Sequence, residues 1–239
     1  MSFSSIKKPL ILGLLFFLPV IFLIMLYPST HNYNSLEIVN ENVKDISDLL
    51  SEDQSDIDFK DNITVLTFLG KDPMKKAISA LNLKELIYDK FMGFKRFQIV
   101  AIVTEGSEES TEALKKELYQ YEALKYWHFV SANASEIDEI YNSLLTKSGL
   151  ASDLATEEVF IIDQELNQRG RLDDREDNEK AKNLTAYGLY SYNCIEVAEL
   201  KNKMSEDIRI LFTEYRQKRK GKYDSTARRA EDLKGDEKN

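Results

Sequence analysis

The side chains that could do redox or metal chemistry are few and far apart. The chain holds one cysteine, Cys194, and two histidines, His31 and His128. A lone thiol makes no internal disulfide and could act only through a mixed disulfide with a partner. Cys194 opens an apolar helical stretch with neither a second cysteine nor a basic neighbour to lower its pKa, so a buried small hydrophobe is the plainer use. His31 stands in a polar linker and His128 beside Trp127 on a short aromatic strand; two separated histidines make no metal cluster. Met74 would be a single soft ligand, and core packing is the simpler expectation. Asp56 and Asp58, within the acidic run Glu52, Asp53, Asp56, Asp58 and Asp61, lack the glycine turn and distal glutamate of a helix-loop-helix calcium loop. Asp173, Asp174, Glu176 and Asp177 read as a solvated turn before a cation site. Neither G-x-S-x-G nor G-x-x-x-x-G-K occurs. No catalytic, cofactor-binding or metal-binding residue is assigned.

The element best placed to position a site is Ile63-Thr64-Val65-Leu66-Thr67-Phe68-Leu69-Gly70-Lys71-Asp72-Pro73, which reads as a strand, a tight loop and a helix start. Its first seven residues, β-branched or large and without alternation, suit a strand buried on both faces. Gly70 breaks the strand, Asp72 stands where it could cap the next helix, and Pro73 suits a first turn. Oxidoreductases often keep reactive cysteines at such a junction, where the helix dipole stabilises a thiolate. This junction has none.

Around that unit the pattern alternates. Ala77, Ile78, Leu81, Ile87 and Phe91 keep helical spacing as far as Gly93. Residues 98–103 form a second buried strand and 110–124 a helix, which implies a parallel, right-handed crossover. Residues 126–130 form a third strand, and Ser135 and Asp138 have capping-box spacing before a helix to Leu145. Residues 159–163 and 168–172 read as a hairpin. Residues 173–193 are acidic and then tyrosine-rich, with Tyr187, Tyr190 and Tyr192 expected to pack on the domain. The last helix, residues 195–215, carries Val197, Leu200, Met204, Ile208, Leu211 and Tyr215 as one apolar stripe.

Residues 10–27 are uncharged and nearly all apolar, close to the roughly 20 needed to span a bilayer. Lys7 and Lys8 precede the run and no basic residue follows until Lys44, so the positive-inside rule keeps the N-terminus in the cytoplasm and the remainder outside. A cleaved signal peptide is the competing reading, but no A-x-A pattern follows the run. The formal net charge is −9, and since residues 1–27 contribute only the two lysines, the remainder carries −9 − 2 = −11. Such an acidic chain is a poor partner for nucleic acid. The domain plan is an anchor over 1–28, an acidic tether with room for one short strand over 29–62, an α/β domain over 63–217 and a charged tail over 218–239.

The order β-α-β-α-β-α-β-β-α is that of a thioredoxin-like three-layer fold. The anchor, Val65 to Gly70, Thr111-Glu112-Ala113-Leu114-Lys115, and Val159-Phe160-Ile161-Ile162-Asp163 followed by Arg169-Gly170-Arg171 together resemble the SCO/SenC family of membrane-anchored, thioredoxin-like proteins that handle copper during cytochrome oxidase assembly. The family's copper site is a C-x-x-x-C in the first strand-to-helix loop plus a histidine before the late hairpin. Here the loop is Gly70-Lys71-Asp72-Pro73-Met74-Lys75-Lys76 and the residues before Val159 are Ala155-Thr156-Glu157-Glu158, so all three ligands are missing. Two thiolates and an imidazole suit Cu(I); lysine and carboxylates do not. The thioredoxin cis-proline is missing as well, since no proline follows Pro73.

The expected function is a non-catalytic, membrane-anchored, SCO-like protein that binds other proteins, with an accessory role in respiratory oxidase assembly implied by the resemblance. The expected location is the outer side of the cytoplasmic membrane, periplasmic in a Gram-negative cell. The alternatives are a thiol-redox protein acting through Cys194 and a metal carrier with non-standard ligands.

Overall fold

The computed structural model describes residues 12–22, 35–47, 57–119 and 124–221. It divides into two compact units, Met1–Asn34 and Ser35–Asn239. In the first, residues 12–22 are helical and leave Leu12, Leu15 and Phe16 exposed. No helix among the described residues is long and apolar enough to cross a membrane. The ends of the apolar run 10–27, together with His31, lie outside the described residues.

The second unit is built on a sheet of β1 (Glu37–Asn40), β2 (Ile63–Gly70), β3 (Phe97–Thr104), β4 (Trp127–Ala132), β5 (Ala155–Ile162), β6 (Gln168–Gly170) and β7 (Tyr192–Asn193). The order among the described residues is β1-β6-β5-β2-β3-β4, with β7 added beside β5. β2, β3 and β4 run parallel, with Val65 opposite Ile99 and Ala101 opposite Phe129. β5 is antiparallel to β2, with Leu66 opposite Phe160, and the β5–β6 hairpin sets Ile161 opposite Arg169. Parallel strands joined through helices, then a hairpin and a closing helix, make this a mixed α/β sheet of thioredoxin-like type.

Alternate residues of β2 serve two cores, which is why its sequence shows no polar alternation. Ile63, Val65 and Leu69 face one cluster, with Leu83 and Ile87 from the first helix, Leu114 and Leu118 from the second, and Leu200, Met204, Ile208 and Leu211 from the last. Leu66 and Phe68 face the other, with Ile137, Ile140 and Tyr141 and, from the N-terminal segment, Val43, Ile46 and Phe59. The helices are α1 (Ala77–Leu83), α2 (Glu108–Leu118), α3 (Ala134–Asn142), α4 (Asp177–Ala181) and α5 (Ser205–Arg219). A 3-10 turn, Pro73–Lys76, leads into α1, and a π turn, Lys84–Tyr88, continues it to Asp89–Phe91.

Several local expectations are corrected. Of the stretch 29–62, residues 35–47 and 57–62 belong to the second unit: β1 pairs with β6, and Ile46 and Phe59 are fully buried. Glu52, Asp53 and Asp56 lie outside the described residues. The capping box of α3 is Asn133 with Glu136, not Ser135 with Asp138. Asn133 Oδ1 accepts from the amides of Ser135 and Glu136, and Glu136 Oε2 accepts from the Asn133 amide at 2.8 Å. α2 ends at Leu118, short of 124. Val197 is 48% exposed and leaves the stripe, because a π turn, Glu199–Met204, shifts the helical phase just after it. Of the three tyrosines Tyr192 is fully buried, whereas Tyr187 is exposed and donates to Glu179.

Candidate functional site

The junction after β2 is shaped by Gly70, whose φ of +67° and contact with the far loop admit no side chain. A Cβ there would stand 2.2 Å from the Asp153 carbonyl oxygen. The Lys71 amide donates to that same carbonyl at 2.8 Å, which ties the junction to the start of β5. Asp72 occupies the cap position without capping. Its carboxylate is claimed by two other groups instead: it accepts from Ser110 Oγ at 2.6 Å and pairs with Lys75 at 3.1 Å. Ser110 Oγ accepts in turn from the Met74 amide at 3.0 Å, so α2 holds the loop. The Ser110 hydroxyl and then the Lys75 ammonium keep the Asp72 carboxyl below its usual range.

Four residues after Asp72, Lys76 finds its partner on the late strand. Lys76 Nζ lies 2.7 Å from Glu157 Oε1, and Ser79 Oγ donates to Glu157 Oε2 at 2.5 Å. Burial works to raise the Glu157 pKa, but the Lys76 ammonium and the Ser79 hydroxyl outweigh it and hold the group down. Beside it, Glu158 accepts from Ser191 Oγ at 2.7 Å, Ser148 Oγ at 3.0 Å and Tyr141 Oη at 3.3 Å. Lys76, Glu157, Glu158, Ser148 and Ser191 border an open cleft of about 510 Å³, lined also by Lys147, Asn193 and Glu199. Lys76 and Ser79 thus satisfy Glu157, and Ser148 and Ser191 satisfy Glu158. No cluster of three or more metal-ligating side chains occurs among the described residues.

Cys194 lies near this junction but inside the core. It is fully buried, its amide donates to the Glu157 carbonyl and its own carbonyl accepts from Asn82. Burial pushes its thiol well above the usual range, so the thiolate needed for exchange is suppressed. His128 sits on β4, at the far edge of the sheet, where burial lowers its pKa. Met74, expected in the core, is 38% exposed on the junction loop. Asp58 stands beside Asn62, and burial and then Asp45 raise its pKa. The acidic turn is divided by its partners: Asp173 pairs with Arg175 and is lowered to about 2 by that hydrogen-bonded arginine, while Asp174 is buried between Arg171 and Lys203.

Periodicity alone did not foretell what Arg169-Gly170-Arg171 does. Arg169 is buried and bridges Asp163 at 2.9 Å, Glu214 at 2.6 Å and the Leu36 carbonyl at 2.5 Å. Arg171 takes Asp207 with both Nε and Nη2, and Tyr192 donates to the same carboxylate at 2.6 Å. Gly170 allows this crossing, since a Cβ would meet the Leu189 carbonyl at 2.4 Å. The tripeptide is a structural clasp between the hairpin, β1 and α5. An arginine flanking a buried strand was its available signal, because a buried guanidinium requires carboxylates nearby.

No protein-family model matches the chain, and no curated protein does. Among solved structures it is similar to a yeast mitochondrial 1-Cys peroxiredoxin, at 15% identity over 69% of this chain and 71% of that one, with a TM-score of 0.38. The soluble domain of Sco1 from Bacillus subtilis is 14% identical over 71% of this chain and 91% of its own, with a TM-score of 0.37. The thioredoxin domain of a thiol-disulfide oxidoreductase from Bacteroides vulgatus is 16% identical over 54% of this chain and 86% of its own, with a TM-score of 0.30. At such scores the thioredoxin-like assignment stands on the chain's own sheet order.

Proposed function

We propose that this chain is a membrane-anchored, non-catalytic thioredoxin-like protein that works by binding other proteins outside the cytoplasmic membrane, as an accessory or assembly factor for a respiratory oxidase. The observation that carries the non-catalytic reading is the Lys76–Glu157–Ser79 cluster at the junction. A soft metal entering there would meet an ammonium and a carboxylate already matched to each other, where Cu(I) needs thiolate or imidazole. The buried Cys194 supports the same reading against thiol exchange. The anchor and its orientation rest on the apolar run 10–27 and on Lys7 and Lys8. The oxidase role rests on the resemblance carried by Val65 to Gly70, Val159 to Asp163 and Arg169-Gly170-Arg171.

Competition between the detergent-solubilised full chain and a Cu(I) chelator tests the central claim: the chelator is expected to keep the copper. One copper retained per monomer overturns the reading in favour of a metal carrier. Affinity purification from solubilised membranes tests the partner, and recovery without any oxidase subunit or assembly protein sinks the assembly role.

A further inference from the structure

An exposed aromatic ring and a set of unpartnered cations meet on one surface of the second unit. Phe94, in the loop before β3, is 45% exposed, and its ring centroid lies 4.5 Å from that of Phe212 on α5. Arg209, Arg216 and Arg219 are three residues before, four after and seven after Phe212, so they share its helix face. Lys95 follows Phe94, and Lys220 ends α5. All five cations are exposed, and no side-chain partner for them occurs among the described residues. Neighbouring acids are already matched: Asp61 to Arg96, Asp89 to Lys84, Glu214 to Arg169 and Lys218. This basic surface stands out on a chain carrying −9 overall.

We propose that this surface docks on a membrane rich in anionic lipid, with Phe94 entering the headgroup region and the five cations meeting lipid phosphates. The inference rests on the anchored reading. Residues 28–34 alone separate the apolar run from Ser35, and seven residues reach at most ~25 Å, so an anchored domain stays near the bilayer. The chain enters the domain beside the basic end of α5: one guanidinium nitrogen of Arg169 bonds both the Leu36 carbonyl and Glu214, half a helical turn before Arg216. A half-exposed ring among unpaired cations matches an interface that is apolar just beneath its phosphates.

The test uses the full chain with Phe94→Trp in nanodiscs containing brominated lipid, where Trp127 is a buried background. Quenching is expected in discs containing phosphatidylglycerol and not in phosphatidylcholine alone, and salt should reverse it. Each basic side chain near an anionic surface is worth about fivefold in partition, so combining Arg209→Glu, Arg216→Glu and Arg219→Glu, which removes three cations and adds three repelled carboxylates, should lower the docked fraction's equilibrium constant by at least on the order of 100-fold with an unchanged melt. Equal quenching in both lipids, or quenching that survives the triple reversal, overturns the proposal. Capture on polyglutamate without lipid quenching overturns it in favour of an acidic protein. Failure of the chain to enter discs at high salt sinks the anchor instead. The surface is then read by flotation with anionic vesicles at low salt, and no flotation overturns it separately.

Discussion

Arg169 and Cys194 are both buried in the second unit, the first as an ion paired with two carboxylates and the second as a protonated thiol. Replacing Arg169 by methionine keeps the volume but leaves Asp163 and Glu214 facing each other without the guanidinium. Breaking a buried pair in this way costs about 3 to 5 kcal/mol, and urea denaturation of Arg169→Met should show a loss of that size. A loss below about 1 kcal/mol, the scale of a surface pair, would contradict the clasp. Cys194 should be inert to a thiol reagent in the folded chain and react once the chain is unfolded. Its folded pKa is raised, so the folded state keeps its proton while the unfolded chain loses it above about pH 8.5. The stabilising contribution is therefore whole below that pH and declines by up to about 1.4 kcal/mol per unit above it. Cys194→Ala should flatten that decline between about pH 8.5 and pH 10, which paired denaturation curves would measure.

At the scale of elements, α5 and the π turn before it close one face of the sheet with Leu200, Met204, Ile208 and Leu211. Leu211→Ala should cost about 2 to 5 kcal/mol, whereas Val197→Ala, at an exposed position, should stay within about 0.5 kcal/mol. Removing everything after Ala198 should unfold the domain, since four such burials at about 1.5 to 3 kcal/mol each rival a domain's net stability of about 5 to 15 kcal/mol. Removing residues 222–239 should leave the melting temperature unchanged, because the sequence of that stretch carries no apolar periodicity. The basic count over 216–229, seven cations against one acid, splits across that boundary: Arg216, Lys218, Arg219 and Lys220 belong to α5 and its end, the rest to the segment beyond.

For the whole molecule, the prediction is topological. Reporter fusions to the C-terminus should be active only as exported reporters, and the chain should resist extraction from membranes at alkaline pH. An active cytoplasmic reporter, or a mature chain beginning near Ser29, would end the anchored reading. With a net charge of −11 after residue 27, the basic surface of the second unit is the exception on an acidic chain.

The sequence by itself determined the alternation of strands and helices, because burial on two faces of β2 and β3 demands unbroken apolar runs and burial on one face of α5 demands a stripe. It also determined that a C-x-x-x-C and its histidine are absent. Cap positions and helix ends were legible only in part: Ser135 and Asn133 both have cap chemistry, and the choice fell to Asn133, whose Oδ1 reaches two amides. Likewise the polar segment 35–47 gave little sign of an edge strand, because β1 lies at the sheet edge with its outer residues in water. Only the tertiary structure decided that Lys76 meets Glu157 from 81 positions away, that Arg169 reaches Leu36 across 133, and that Phe94 lies against Phe212. Periodicity reports which face of an element avoids water; it carries no record of which distant element supplies the opposite charge, and that pairing follows from sheet register and helix packing.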